Sequence, residues 1–508
     1  MASINGAQRR TVAWLAAGIW LVYLTTSSGG FESGDAVTRY ETARSWLAGR
    51  EGALPAPGGN GAVTLPDGRV YSFFGPLQSV LMVPVLVAVR ALPGAGVPES
   101  IRETFAVSLA VFPLVSTAAV VLLFLSLRLL GHSARVAFLA ALAVALGSFF
   151  WHYARTGQEE HLVALGYALW LYGAARLAAG RSWPALFMAA GGAVAVATRW
   201  AVLPQLAVLA GVSLLLLLRH RNDLRWPDLA GAALLLGGTA GALLLYNVAR
   251  FGAWWETGYG VWFAQSGLSM FLFDGYGERL AALLFSPYRG LLWYSPAVLL
   301  ALPATFSSSA GDERVLRLGG FLVLAVALLF FAAFHFWSGG HAWGPRFLAA
   351  PQVLLAPALA GFFARSARRA VLVPLLVLPQ LFSTVLPAST EEYARFNVEV
   401  AEQRPCSPWR FECAAVPQRL PRALLAVANT WADRPGVTLE GRPLSVPPEV
   451  VLETSDYRTL YWWPVRIAFR LQRLPPRSAL LLCLLGLAMG TAALFRGWRL
   501  ARDPAGGP

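Results

Sequence analysis

Two short polar stretches carry the residue types best suited to acid–base chemistry. The first holds Glu32 and Asp35, followed by Arg39 and Tyr40; the second holds Arg155, Glu159, Glu160 and His161. A carboxylate so placed can take a proton from an acceptor or orient it. Asp35 also has a structural reading, because an Asp at the start of a helix is a natural cap. From Asp35 onward, Val37, Tyr40, Ala43 and Leu47 recur at helical spacing. Glu160 could likewise cap a helix that starts at His161. Arginine supplies the complementary chemistry, since its planar fork binds phosphate oxygens in pairs. Arg289 and Arg346 lead the candidates, with Arg39, Arg155, Arg199 and Arg250 behind them. Each of these arginines can equally be a membrane-surface residue or one arm of an internal salt bridge. Arg346 is set apart by its neighbours Trp337, His341, Trp343, Gly344 and Pro345. Those aromatics fit an interface belt or a stacking surface for an apolar ring face. His335 and His341 also read as hydrogen-bonded interfacial residues. A divalent metal held by Asp35, Glu159 and His161 is chemically possible, but no tight ligand spacing marks one, and no metal ligand is assigned.

The elements that must position these groups are hydrophobic. Of the 508 residues, 56% are hydrophobic and 13% charged, against roughly 25% charged in a soluble chain. Apolar runs such as Phe105 to Leu127 and Leu229 to Asn247 match the roughly 17–25 residues that cross a bilayer. The expectation is an all-α polytopic membrane protein with about a dozen spans. They fall near 11–26, 105–128, 136–151, 161–178, 184–199, 202–218, 229–247, 289–305, 318–334, 347–364, 370–386 and 479–496. The formal net charge is +14, from 41 basic and 27 acidic residues, and every basic residue is Arg. Such a balance raises nucleic acid as a partner. Arg-rich cytoplasmic loops explain it better, so no nucleic acid is expected. The bias toward Ala, Arg, Gly and Leu points to a GC-rich bacterial genome. Arg9 and Arg10 before the first apolar run read as an inside flank of an uncleaved span, not as a signal peptide.

Arginine clusters at 9–10, 128–135, 176–181, 219–225, 314–317, 365–369 and 496–502 all fall on the cytoplasmic side if there are twelve spans, with both termini inside. The segment 77–92 is apolar, but a full crossing there would invert every later cluster. It is therefore expected to be a juxtamembrane helix inside a large first outer loop, 27–104. Residues 1–386 form the transmembrane region, 387–478 a small extracytoplasmic domain or long loop, and 479–508 the last span and cytoplasmic tail. Cys406 and Cys413 lie in that outer segment, an oxidising compartment in which a disulfide is reasonable; two free thiols are the other reading. Cys483 sits in an apolar run. No P-loop, dinucleotide fingerprint or nucleophile elbow occurs.

Several stretches, taken in order, are familiar. They are Gly34-Asp35 with Arg39-Tyr40; Asp67 to Ser72 with Gly75, Gln78 and Ser79; and Tyr153 to Glu160. Next come Tyr246 to Gly252 with Gly258-Tyr259, Ser286 to Pro296, and Trp337 to Phe347. On these segments the first 350 residues or so resemble the GT-C class of membrane glycosyltransferases, the broad group of protein mannosyltransferases and aminoarabinose transferases. The resemblance implies transfer of a sugar from a polyprenyl-phosphate donor at the outer face of a bacterial cytoplasmic membrane. It implies Asp35 as the catalytic acidic residue of the first outer loop. It also implies substrate or phosphate contacts among Arg289, Arg346, Arg39, Arg155, Tyr71 and His341. The adjacent acidic pair common in protein mannosyltransferases is absent; Glu32 and Asp35 are three apart, which keeps the choice of base open, with Glu159 and Glu160 as further acids. The acceptor, whether protein, lipid or polysaccharide, is not legible. The competing readings are a transporter or flippase of a lipid-linked sugar and a non-catalytic factor of envelope polysaccharide assembly. Unlike halves and polar residues gathered in outer loops weigh against a transporter.

Overall fold

Apolar runs without internal charge leave the backbone to satisfy its own hydrogen bonds, which in lipid means helix. The computed structural model describes residues 6–55, 61–93, 96–340, 342–389, 407–411, 414–432, 460–471 and 474–502. Within them the regular secondary structure is helical apart from one short hairpin. The first elements are α1 (Gly6–Thr26), α2 (Gly34–Leu47), a hairpin of β1 (Ala62–Thr64) and β2 (Val70–Ser72), α3 (Leu77–Arg90), α4 (Glu99–Ala110) and α5 (Phe112–Leu129). There follow α6 (Ala134–Ala145), α7 (Phe150–Tyr153), α8 (Glu160–Ala178), α9 (Pro184–Thr198), α10 (Leu203–Arg219) and α11 (Trp226–Phe251). The order continues with α12 (Tyr259–Ser266), α13 (Tyr276–Phe285), α14 (Leu291–Tyr294), α15 (Ala297–Thr305), α16 (Gly311–Ala333), α17 (Ala356–Ala364) and α18 (Leu372–Gln380). It closes with α19 (Ala415–Ala432), α20 (Trp463–Leu471) and α21 (Pro476–Arg502).

Seven helical segments are long and apolar enough to cross a bilayer: Glu99–Leu129, Trp200–Arg219, Trp226–Phe251, Gly311–Ala333, Arg346–Ala364, Ala367–Val385 and Pro476–Arg502. Leu234 and Leu245 on α11, Leu214 and Leu218 on α10, and Leu481 and Leu485 on α21 are exposed. Leucine faces on several long helices belong against lipid, not water. The chain is a multi-pass membrane protein.

Two expected spans are broken. The run 136–151 resolves into α6, a break at 146–149, and the four-residue α7. The run 289–305 resolves into α14 and the nine-residue α15, which contains Pro303. The break between the two falls at Ser295-Pro296, where proline has no backbone donor for the preceding turn. The run 347–364 begins as two 3-10 turns around Pro351 before α17. The segment expected at 77–92 is α3, whose 14 residues extend about 21 Å, short of the roughly 30 Å hydrocarbon core. Most of 387–478, including Cys406 and Cys413, lies outside the described residues, as does His341.

The main buried cluster is shared by α1, α5, α6, α8, α16, α17 and α21, with smaller clusters around Tyr40 and Met82, around Phe73 and Phe74, and around Ala185 and Ala232. Helices α8 and α9 approach through small residues: a Cβ added at Gly166 would stand 2.7 Å from the Gly191 carbonyl oxygen. Close backbone approach through such pairs is a membrane packing mode. Polar ties fix α2, α3 and α4 to one another and to the loop before α8. Gln78 Nε2 donates to the Gly157 carbonyl at 2.6 Å, and Ser79 Oγ to the Arg39 carbonyl at 2.8 Å. Tyr40 donates to Glu103 at 2.5 Å, which also receives Arg90 at 2.6 Å. Together these join α2, α3, α4 and the loop before α8.

Candidate active site

Asp35 lies in the first turn of α2, and the cap is Ser33, whose hydroxyl accepts from the Ala36 amide at 3.3 Å. The sequence allowed Asp35 that capping role; the structure gives it to Ser33 and leaves the Asp35 carboxylate free for another partner. That partner is Arg346, whose Nη1 stands 2.8 Å from Asp35 Oδ2. Arg346 opens the 3-10 turn after Pro345. Its Nε also donates to Glu160 Oε1 at 2.7 Å, and its Nη2 lies 3.7 Å from Glu159 Oε1. Arg199, at the extended residue that ends α9, donates through Nε to Glu159 and through Nη2 to Glu160, both at 2.5 Å. Arg39, one turn along α2 from Asp35, closes on the other Glu159 oxygen, its guanidinium 3.8 Å from the centre of the Phe74 ring.

Three arginines and three carboxylates therefore form one network. Arg39 and Arg346 are 1% and 7% exposed, and Glu159 and Glu160 are 2% and 0%. Buried charges persist only when paired, and the count here balances. Four separate segments contribute: α2, the start of α8, the end of α9 and the 339–348 loop. Glu160 is the first residue of α8, in the first turn where a carboxylate meets the helix's positive end, and Arg199 and Arg346 hold its carboxylate.

Part of the network, Asp35, Glu159, Arg199 and Arg346, lines a cavity of about 630 Å³, together with Glu32. The same cavity is also lined by aromatic side chains, among them Trp262, Phe263, Phe331, Phe334 and Phe336. Phe331 and Phe347 stack with centroids 4.3 Å apart, and the Arg199 guanidinium lies 5.0 Å from the Phe347 ring centre. Tyr259 also lines the cavity; burial raises its phenol above the ordinary value. Glu32 has Arg155 Nη1 at 3.7 Å. Burial raises its carboxyl above the ordinary range, and Arg155 offsets this only in part.

Other expected contacts lie apart from this cavity. Arg289 donates to the backbone carbonyls of Gly340, Ala342 and Gly344, so it shapes the loop that carries Arg346. Arg155 donates to the Thr26 carbonyl at 2.7 Å. Tyr71 pairs with Val63 in the hairpin and accepts from Arg69 at 3.3 Å. Arg250 donates to the Ser72 carbonyl and packs over Tyr246, tying the hairpin to α11. Among the described residues, no group of three or more His, Cys, Asp or Glu side chains is arranged to hold a metal ion. Asp35 and Glu159 face arginines, and His161 Nδ1 is 2.5 Å from the Gln158 carbonyl. Arg199 ranks higher in the structure than in the sequence. Its signal was available: a lone arginine at the end of an apolar helix, away from the arginine clusters that the charge pattern assigns to the cytoplasmic side. Trp262 and Phe263 carried no such signal, because aromatic residues are common throughout the chain.

No protein-family model and no curated protein matches the chain. Among solved structures it is similar to ArnT from Cupriavidus metallidurans in two states. Against the undecaprenyl phosphate-bound form the identity is 15%, over 96% of this chain and 75% of that one, with a TM-score of 0.49; against the apo form it is 14%, over 98% and 77%, with a TM-score of 0.44.

Proposed function

We propose that this protein is a glycosyltransferase that moves a sugar from a polyprenyl-phosphate donor to an acceptor at the outer face of a bacterial cytoplasmic membrane. The observation that carries this reading is the Asp35–Arg346 contact at 2.8 Å in a cavity that aromatic side chains also line. A base, a phosphate-binding fork and an apolar surface are the three things this donor class requires. Aromatic faces take the apolar face of a sugar ring or the first isoprene units. Arg346 and Arg199 take the phosphate as a charge-assisted fork.

Asp35 acts as the general base. The acceptor oxygen or nitrogen attacks the anomeric carbon as its proton passes to the Asp35 carboxylate. The new glycosidic bond forms while the anomeric carbon–oxygen bond breaks. The phosphate leaves with that electron pair, and the arginines stabilise the charge it gathers. Glu159 and Glu160 hold the two arginines in place and touch no reacting atom. A lipid-linked donor suits a site outside the cell, where the reaction needs no nucleotide sugar.

The test is a transfer assay with purified protein in lipid vesicles, supplied with radiolabelled polyprenyl-phosphate sugars and cell-envelope extract. Label moving from lipid to acceptor with bond cleavage supports the transferase. Label crossing the bilayer still attached to its lipid would overturn it in favour of a flippase.

A further inference from the structure

Arg346 has three carboxylate partners, and they differ in how firmly they are held. Glu160 is fully buried and shared with Arg199 at 2.5 Å; Glu159 has a side chain 3% exposed and is shared with Arg199 and Arg39. Asp35 is different. Its side chain is 18% exposed, its one ion pair within 4 Å is with Arg346 Nη1 among the described residues, and it lies on the cavity wall. An anion arriving through the cavity thus meets an arginine whose Nε edge is occupied by a buried residue and whose Nη1 edge is occupied by an accessible one.

The charges are already balanced without a ligand: Arg39, Arg199 and Arg346 against Asp35, Glu159 and Glu160. A phosphate added to this set creates an excess negative charge in a site of low dielectric, unless one carboxylate gives up its cation or its charge. Asp35 is the member that can do both.

Resting on the donor class proposed above, we infer that the Nη1 edge of Arg346 is a phosphate seat occupied at rest by the Asp35 carboxylate. The donor phosphate displaces Asp35 on binding and so frees the base for the acceptor. Transfer delivers the acceptor's proton to Asp35, which neutralises it while the product lipid phosphate remains on Arg346. Loss of that proton restores the Asp35–Arg346 pair and expels the product. A base thereby stays masked until a donor is present, which protects the site from idle proton exchange with its surroundings.

The experiment is a binding titration of the full-length protein in nanodiscs with farnesyl monophosphate. Inorganic phosphate provides a headgroup-only arm and farnesol a chain-only arm. Asp35→Asn removes the competing anion and should tighten both phosphate ligands by about tenfold, the scale of a charge-assisted hydrogen bond, with farnesol unchanged. Glu32→Gln removes the same unit of charge from the same wall, but its partner is Arg155; it should change affinity less than about twofold. Arg346→Gln should abolish the phosphate-dependent part. Equal affinity in wild type and Asp35→Asn, or equal tightening in Glu32→Gln, would overturn the seat while leaving the donor class standing. Failure of every variant to bind either phosphate would overturn the donor class and the seat together.

Discussion

A buried guanidinium bound by two or more carboxylates concentrates the site's stability in few contacts. Glu160, fully buried between Arg199 at 2.5 Å and Arg346 at 2.7 Å, is the clearest case. Glu160→Gln leaves both arginines short of charge in a buried site. Removing one partner of a buried pair typically costs about 3–5 kcal/mol, so this variant should melt well below wild type in a detergent thermal scan. A melting temperature equal to wild type would mean the network is looser than its geometry. Glu32 should behave in the opposite sense. Its folded carboxyl is held above the ordinary range by burial, so the protein keeps full stability while that group is protonated. It loses stability as pH rises through the raised value, where the charged form must be accommodated. Glu32→Gln should therefore be more heat-stable than wild type at neutral pH, and the gap should close as pH falls below the ordinary carboxylate range. A gap that stays constant with pH would show that Glu32 does not titrate in this manner.

Between residues and the whole molecule stand the elements that aim these side chains. Gly75 follows Phe73 and Phe74 and packs its backbone onto the Ala197 and Thr198 carbonyls at the end of α9, one residue before Arg199. A Cβ there has no space, so Gly75→Ala should push the hairpin loop off α9. The expected loss is about 1–3 kcal/mol of stability, the usual scale for overpacking, with a weakened donor KM. Gly277→Ala, where an added Cβ meets nothing within 4 Å, should leave both unchanged. Much of this layer was legible in the sequence. The helix from Asp35 was, because Tyr40 and Ala43 recur at helical spacing and both are buried. Val37 was expected on the same face but is 43% exposed, because Arg39, Thr38 and Thr42 take buried positions instead. Apolar periodicity cannot announce a buried arginine whose partner arrives from a distant segment. The breaks after α6 and before α15 were hidden for a related reason. Hydropathy averages over a run, while a short helix depends on where individual backbone hydrogen bonds fail. The assembly of Asp35, Glu159, Glu160, Arg199 and Arg346 was foreseen only as separate candidates, since their sequence separations carry no record of which side chains meet.

At the scale of the whole molecule, the long helices with exposed leucines define a membrane body, and the charge network sits where α2, α8, α9 and the 339–348 loop converge. The proposed topology, with every arginine cluster on the cytoplasmic side, puts the start of α4 on the same side as that network. Ser100, exposed in the first turn of α4, reports on this directly. Ser100→Cys in a background lacking the native cysteines should react with a membrane-impermeant maleimide added outside intact cells. Labelling only after the cytoplasmic side is opened would mean α3 crosses the membrane and would invert the proposed topology. The central claim, that Asp35 is the base of a sugar transfer from a lipid phosphate, is tested most directly by single-turnover transfer at saturating labelled donor, wild type beside Asp35→Asn. Loss of a general base should slow the chemical step by about 100- to 10,000-fold in a protein that still folds and binds donor at least as tightly. Near-normal turnover in Asp35→Asn would contradict the account and move the search for the base to the other acids of the cavity.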